Sequence, residues 1–153
     1  MTERTARALQ NFASGCNCAQ SVLAAYADVM KLTEEQAMRL AAGFGGGMGR
    51  LRRDCGAFSA AVMLVTAMEG ENSETPEARV RLYTRVQRLY GDFVSALGTV
   101  NCAKLLGKPE GPEPPTPDPR TTDYYASRPC ARIIRTACEI IEMHLAEGKA
   151  VRP

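Results

Sequence analysis

The stretch CGAFSAAVMLVTAME, residues 55–69, decides the fold. It is small and apolar on almost every side, and a helix apolar all round has no face to offer water, so it must be buried. The sequence therefore predicts a helix from about Asp54 as the central element of a core. Just before it, GFGGGMGR at residues 43–50 cannot continue a helix. Five glycines within seven residues make a loop free to adopt positive φ and to pack closely.

Outward from this centre the punctuation is helical throughout. Residues 3–13 carry Ala6, Leu9, Phe12 and Ala13 at helical spacing, and Gly15 ends that run. A second helix follows the cap Asn17, with Val22, Leu23, Tyr26 and Val29 on one side. TEEQ, residues 33–36, fits a capping box and starts a third helix, from about Glu34 to Ala42. Beyond the central helix, Thr75 caps and Pro76 opens a helix to about Leu97, stopped by Gly98. Its predicted buried face is Val80, Tyr83, Val86, Tyr90, Phe93, Val94 and Leu97. A short helix spans about Cys102 to Leu106. GKPEGPEPPTPDPR, with six prolines in fourteen residues, reads as a semi-rigid connector. The last helix runs from near Ser127 and Pro129 to about Glu147, with Cys130, Ile133, Ile134, Ala137, Ile141 and Leu145 as its stripe. No strand pattern and no repeat occurs. The expectation is an all-α single domain over residues 1–153, a bundle of about six to seven helices with a Gly-rich loop and a Pro-rich connector.

Composition narrows the function. The chain has 153 residues, 45% of them hydrophobic, and a formal net charge of +2, too small to argue for nucleic acid or an anionic membrane surface. No run approaches the roughly 18 continuous apolar residues of a membrane span. MTERTARALQNF has no apolar core of a secretory signal. The expected compartment is the cytoplasm, where cysteines more often bind metal or do redox work than form structural disulfides.

Four of the six cysteines fall at predicted helix starts: Cys18, Cys55, Cys102 and Cys130. Helix N-termini present unpaired N–H groups and partial positive charge, which favour a thiolate, the form that attacks sulfur and binds metal. Cys138 faces a neighbouring helix and packs. Cys16 precedes the cap and is either a resolving thiol, a partner in a strained disulfide with Cys18, or merely a neighbour. Gly45, Gly46 and Gly47 are expected to wall the site, letting backbone N–H groups approach a sulfur, a cluster or an anion, with Gly56 and Arg50 in support.

NCAQSV, GFGGGMGR, CGAFSAA, NCAKLLG and RPCARIIRTACEII, in that order, resemble the C_GCAxxG_C_C family of redox-active proteins, from about Phe12 to Glu142. The resemblance implies a small helical protein whose characteristic cysteines match Cys18, Cys55, Cys102 and Cys130. A similar module is joined to haem-binding segments in split-Soret cytochromes, where cysteines hold an iron–sulfur cluster. One departure stands out: the family's CGAxxG ends in glycine, whereas this chain has Ala60. No C-x-x-C-H occurs, so no covalent c-type haem is expected.

Three chemistries follow. In a thiol redox protein, Cys55 is the expected nucleophile because it opens a helix and follows Arg50, Arg52 and Arg53, with Cys18, Cys102 or Cys130 as its partner. In a metal protein, the four cysteines would hold an iron–sulfur cluster or tetrahedral zinc, the two cofactors that an all-sulfur set suits. In the alternative, a non-catalytic helical interaction module, the cysteines are structural. Lone His144 is read as a surface residue, and Arg81, Arg85 and Arg88 as a solvated strip. Nucleotide loops are excluded, since neither G-x-G-x-x-G nor G-x-x-x-x-G-K-[ST] fits. Expected partners are a redox protein of unspecified kind or a second copy of the chain, with no nucleic acid and no membrane insertion.

Overall fold

The computed structural model describes residues 1–71 and 73–151, the side chains of residues 149–151 apart. Among the described residues, eight right-handed α-helices follow one another: α1 (Glu3–Ala13), α2 (Cys18–Ala25), α3 (Glu34–Ala41), α4 (Gly56–Glu69), α5 (Pro76–Leu97), α6 (Cys102–Leu106), α7 (Thr122–Ser127) and α8 (Cys130–Val151). Among the described residues there is no strand, only an isolated bridge between Asp54 and Asn101. None of the described helices is long and apolar enough to cross a membrane.

Local chemistry sets the helix starts. Asn17 and Gln20 form a reciprocal capping box at α2, and Thr33 and Gln36 form another at α3. Thr75 caps α5 with Pro76 behind it, and Gly98 ends that helix in the left-handed region. The apolar stretch is the centre of the molecule, as its composition demands. α4 packs against α2, α5 and α8, while α2 also meets α1 and α3. Phe58 of α4 meets Phe93 of α5 edge to face, with ring centroids 5.2 Å apart. Ala60, where the family motif has glycine, is fully buried in this core.

Some expectations need correction. α4 begins at Gly56, and Cys55 is its N-cap, because the preceding chain is held extended by the bridge to Asn101. The last helix is α8, as expected, but a short helix that the sequence reading did not assign, α7, precedes it and ends at Ser127, because Arg128 is extended before Pro129. The buried face of α5 is Ala78, Leu82, Leu89 and Phe93, while Val80, Tyr83 and Tyr90 are exposed. His144 is not on the surface. It is 1% exposed, its Nε2 pairs with Asp92 at 2.7 Å, and its Nδ1 accepts from Arg85 Nε at 2.9 Å. Arg85 is accordingly no solvated residue, since it also bonds the His144 carbonyl at 2.7 Å and locks α5 onto α8.

Candidate functional site

Each of the four matched cysteines sits at a helix start, and the fold turns those starts toward one another. Cys18 and Cys130 are the first residues of α2 and α8, Cys102 is the first of α6, and Cys55 is the cap of α4. Two hydrogen bonds of the Asp54–Asn101 bridge bring the middle pair together: Cys55 N–H to the Val100 carbonyl at 2.7 Å, and Cys102 N–H to the Arg53 carbonyl at 2.6 Å. Cys18, Cys102 and Cys130 line one cavity of about 330 Å³. Cys55 lies behind Cys18, with the two side chains hydrogen-bonded.

The glycine loop supplies the wall. Gly46, Gly47, Met48, Gly49 and Arg50 are consecutive residues with positive φ, between 56° and 69°. They form a left-handed turn that costs an L-residue about 1–2 kcal/mol at each position. Glycine at three of the five makes the turn accessible, and Met48 and Arg50 carry the strain. The turn aims the Gly46 N–H at the Cys18 sulfur, where the N–H groups of Gly56 and Ala19 also point. Close approach is needed too. A methyl on Gly56 would stand 2.7 Å from Cys18 Sγ, and one on Gly47 would stand 2.7 Å from the Cys102 Cβ. A methyl on Gly45 would overlap the Asn17 side chain, whose amide donates to the Ala42 carbonyl at 3.0 Å.

These donors decide where the negative charge resides. The Cys55 thiol, donating to Cys18, is the largest influence that lowers Cys18 to about 6, helped by the three backbone amides and opposed by burial. Cys55 is pushed up, first by giving its proton to that hydrogen bond and then by burial. Burial also raises Cys102 and takes Cys130 up to about 11, the charge on Cys18 adding to both. Of the two thiols, the one expected as nucleophile, Cys55, is pushed up, and its partner Cys18, faced by the three amides, is the one lowered. The arginines expected to act on Cys55 have other partners. Arg52, 3% exposed, donates to Glu113 at 2.7 Å and to Cys102 Sγ at 3.5 Å. Arg50 turns to the proline-rich segment, and Arg53 is exposed.

That segment is more than a connector. Pro115, Pro117 and Asp118 line the cavity. Arg50 donates to the Pro114 carbonyl at 2.6 Å, to Glu113 at 3.1 Å and to Asp118 at 3.3 Å, and Arg128 pairs with Asp118. Arg120 lies over the rings of Phe12 at 5.0 Å and Tyr124 at 4.7 Å. Sequence reasoning missed Glu113, Asp118, Arg120, Arg128 and Tyr124. The available signal was charge: acids spaced along a proline run complement the arginines of the glycine loop.

Cys16 and Cys138 stand apart from the set. The Cys16 thiol meets the Met38 sulfur at 3.7 Å, and Cys138 is fully buried in the core, its thiol beside Tyr26 and Thr5. All six cysteines are free thiols. Among the described residues, no three cysteine, histidine, aspartate or glutamate side chains are already disposed to hold a metal ion.

A family model described as "Putative redox-active protein (C_GCAxxG_C_C)" matches residues 16–144. No curated protein and no solved structure matches the chain.

Proposed function

The chain belongs to the C_GCAxxG_C_C family, and from that premise we propose that it is a thiol redox protein in which Cys18 attacks and Cys55 resolves. The observation that carries this reading is the hydrogen bond from the Cys55 thiol to a Cys18 sulfur already cradled by three backbone amides. A thiolate is the nucleophile in thiol–disulfide exchange, and a second thiol in contact with it can displace the mixed disulfide that forms. Cys18 attacks a disulfide sulfur and releases the first thiolate. Cys55 then loses its proton to that thiolate and attacks the Cys18 sulfur, releasing the second. The substrate disulfide gains two electrons, and the protein ends with a Cys18–Cys55 disulfide that a thiol reductant can reopen. Cys102 and Cys130 line the same cavity as Cys18, and either would receive the disulfide in a further exchange once it has lost its proton. A pair that must be re-reduced suits the cytoplasm.

The test is direct. The protein is purified without oxygen, its absorption spectrum recorded, iron, zinc and sulfide assayed, and thiols titrated before and after reduction. Colourless, metal-free protein that gains two thiols on reduction, with Cys18 and Cys55 linked in the oxidised form, supports the proposal. Brown protein with stoichiometric iron and sulfide replaces it with a cluster held by Cys18, Cys55, Cys102 and Cys130, and stoichiometric zinc with a structural zinc site. Six thiols that never change select a helical interaction module.

A further inference from the structure

The cavity beside Cys18 carries more positive charge than its own acids compensate. Arg50, Arg52, Arg120 and Arg128 line it against a single lining carboxylate, Asp118. Asp118 is taken by Arg50 and Arg128, and Glu113 just behind is shared among Arg50, Arg52 and Lys108. Arg120 has no carboxylate partner among the described residues. Its guanidinium lies against aromatic rings and donates to the Phe12 carbonyl at 3.4 Å, the Cys16 carbonyl at 3.1 Å and the Tyr125 hydroxyl at 3.5 Å. Arg52 is the stronger sign. It is 3% exposed, and its Nη2 is buried without any hydrogen-bond partner. A buried donor left unpaired costs about 1–3 kcal/mol, more on a charged group, so the Arg52 guanidinium, which lines the cavity, has a donor to spare for an acceptor brought against it.

Size and chemistry narrow the acceptor. About 330 Å³ is the volume of a small-molecule site, and the left-handed glycine turn and the proline-rich strap form its walls, leaving little room for a folded protein's surface. The reacting group in the wall is a sulfur nucleophile. We propose that the cavity binds a small disulfide carrying negative charge, its anionic group set against Arg52 and Arg120 and its sulfur against Cys18. This rests on the dithiol reading and names its substrate class. The exchange is balanced without any other reagent: R–S–S–R and the protein's Cys18 thiolate and Cys55 thiol become the Cys18–Cys55 disulfide, one R–S⁻ and one R–SH.

Two disulfides of nearly equal length and opposite charge test it: 3,3′-dithiodipropionate and cystamine. Each oxidises the reduced, full-length protein, and Cys18–Cys55 disulfide formation is followed by mass spectrometry. Rates are divided by those of the same reagents on the neutral thiol N-acetylcysteine amide, which removes their intrinsic difference in reactivity. The expected result is a preference for the dicarboxylate of about tenfold or more, shrinking as salt is raised. Arg120→Gln should cut that preference several-fold. If both reagents form the disulfide at the reference ratio, or cystamine is preferred, the anionic-substrate inference is overturned while the dithiol reading stands. If neither links Cys18 to Cys55, the dithiol reading fails and takes this inference with it. The comparison uses the unaltered protein, so it decides even if the variant does not fold.

Discussion

Cys55→Ala is the perturbation that tests the site most sharply. In the folded chain Cys18 titrates at about 6, and the hydrogen bond from Cys55 is the largest cause. At pH 7 a thiol titrating at about 6 is about 90% ionised, against about 1% for the ordinary cysteine value of 9.0. A hydrogen bond to a charged acceptor contributes about 1.5–3 kcal/mol, and about 1.4 kcal/mol is a tenfold change in ionisation, so removing the donor should raise the Cys18 midpoint by about one to two pH units. At pH 6 the thiolate then falls from about half to between about 9% and 1%, and alkylation slows by about 5- to 50-fold. The Gly46, Gly56 and Ala19 amides remain, so the midpoint should stay below the ordinary value. Cys55→Ser keeps a donor and should leave it low. The assay is the pH profile of iodoacetamide alkylation at Cys18, read by peptide mass spectrometry in a Cys16→Ala background, since Cys16 faces Met38 and leaves the cradle intact. A midpoint near 9 in the parent chain, or one that Cys55→Ala does not move, would refute the reasoning.

The remaining predictions concern linkage, the glycines and the buried histidine. Because the folded state lowers Cys18, its thiolate contributes stability that is fully present above the unfolded value of 9.0 and is lost as pH falls through about 6. Urea unfolding should therefore show the parent chain gaining on Cys18→Ser between pH 6 and 8.5, and parallel curves would count against it. Gly47→Ala combines positive φ with a contact 2.7 Å from Cys102 Cβ, whereas Gly49→Ala has positive φ and open space. The second should cost about 1–2 kcal/mol in chemical denaturation and the first clearly more; equal losses would deny the close approach. Gly56→Ala should slow Cys18 alkylation, because its methyl would press on the sulfur at 2.7 Å and on the Phe44 carbonyl at 2.8 Å. His144→Phe strips partners from Asp92 and Arg85 and should destabilise by about 2–4 kcal/mol. Arg88→Ala, which removes an exposed pair with Glu147, should change stability by less than about 1 kcal/mol; a reversal of that order would falsify the buried role of His144.

What the sequence determined by itself was everything encoded within a few residues. Asn17–Gln20 and Thr33–Gln36 cap their helices through their own side chains, Thr75-Pro76 and Gly98 bound α5, and residues 56–69 are too apolar to be anywhere but the centre. Helix starts were legible for the same reason, and with them the placement of four cysteines at amide-rich ends. Tertiary structure alone decided which sulfur the donors face, which arginines serve the site and where His144 lies. The donors on Cys18 come from Gly46, Gly56 and Cys55, the acids that hold Arg50 and Arg52 come from the proline segment, and His144 is fixed by Asp92 and Arg85 of another helix. The location of a proton depends on burial and on donors brought in from distant parts of the chain. Such contacts leave no periodicity in a sequence, and only the packing of α2, α4, α5 and α8 creates them.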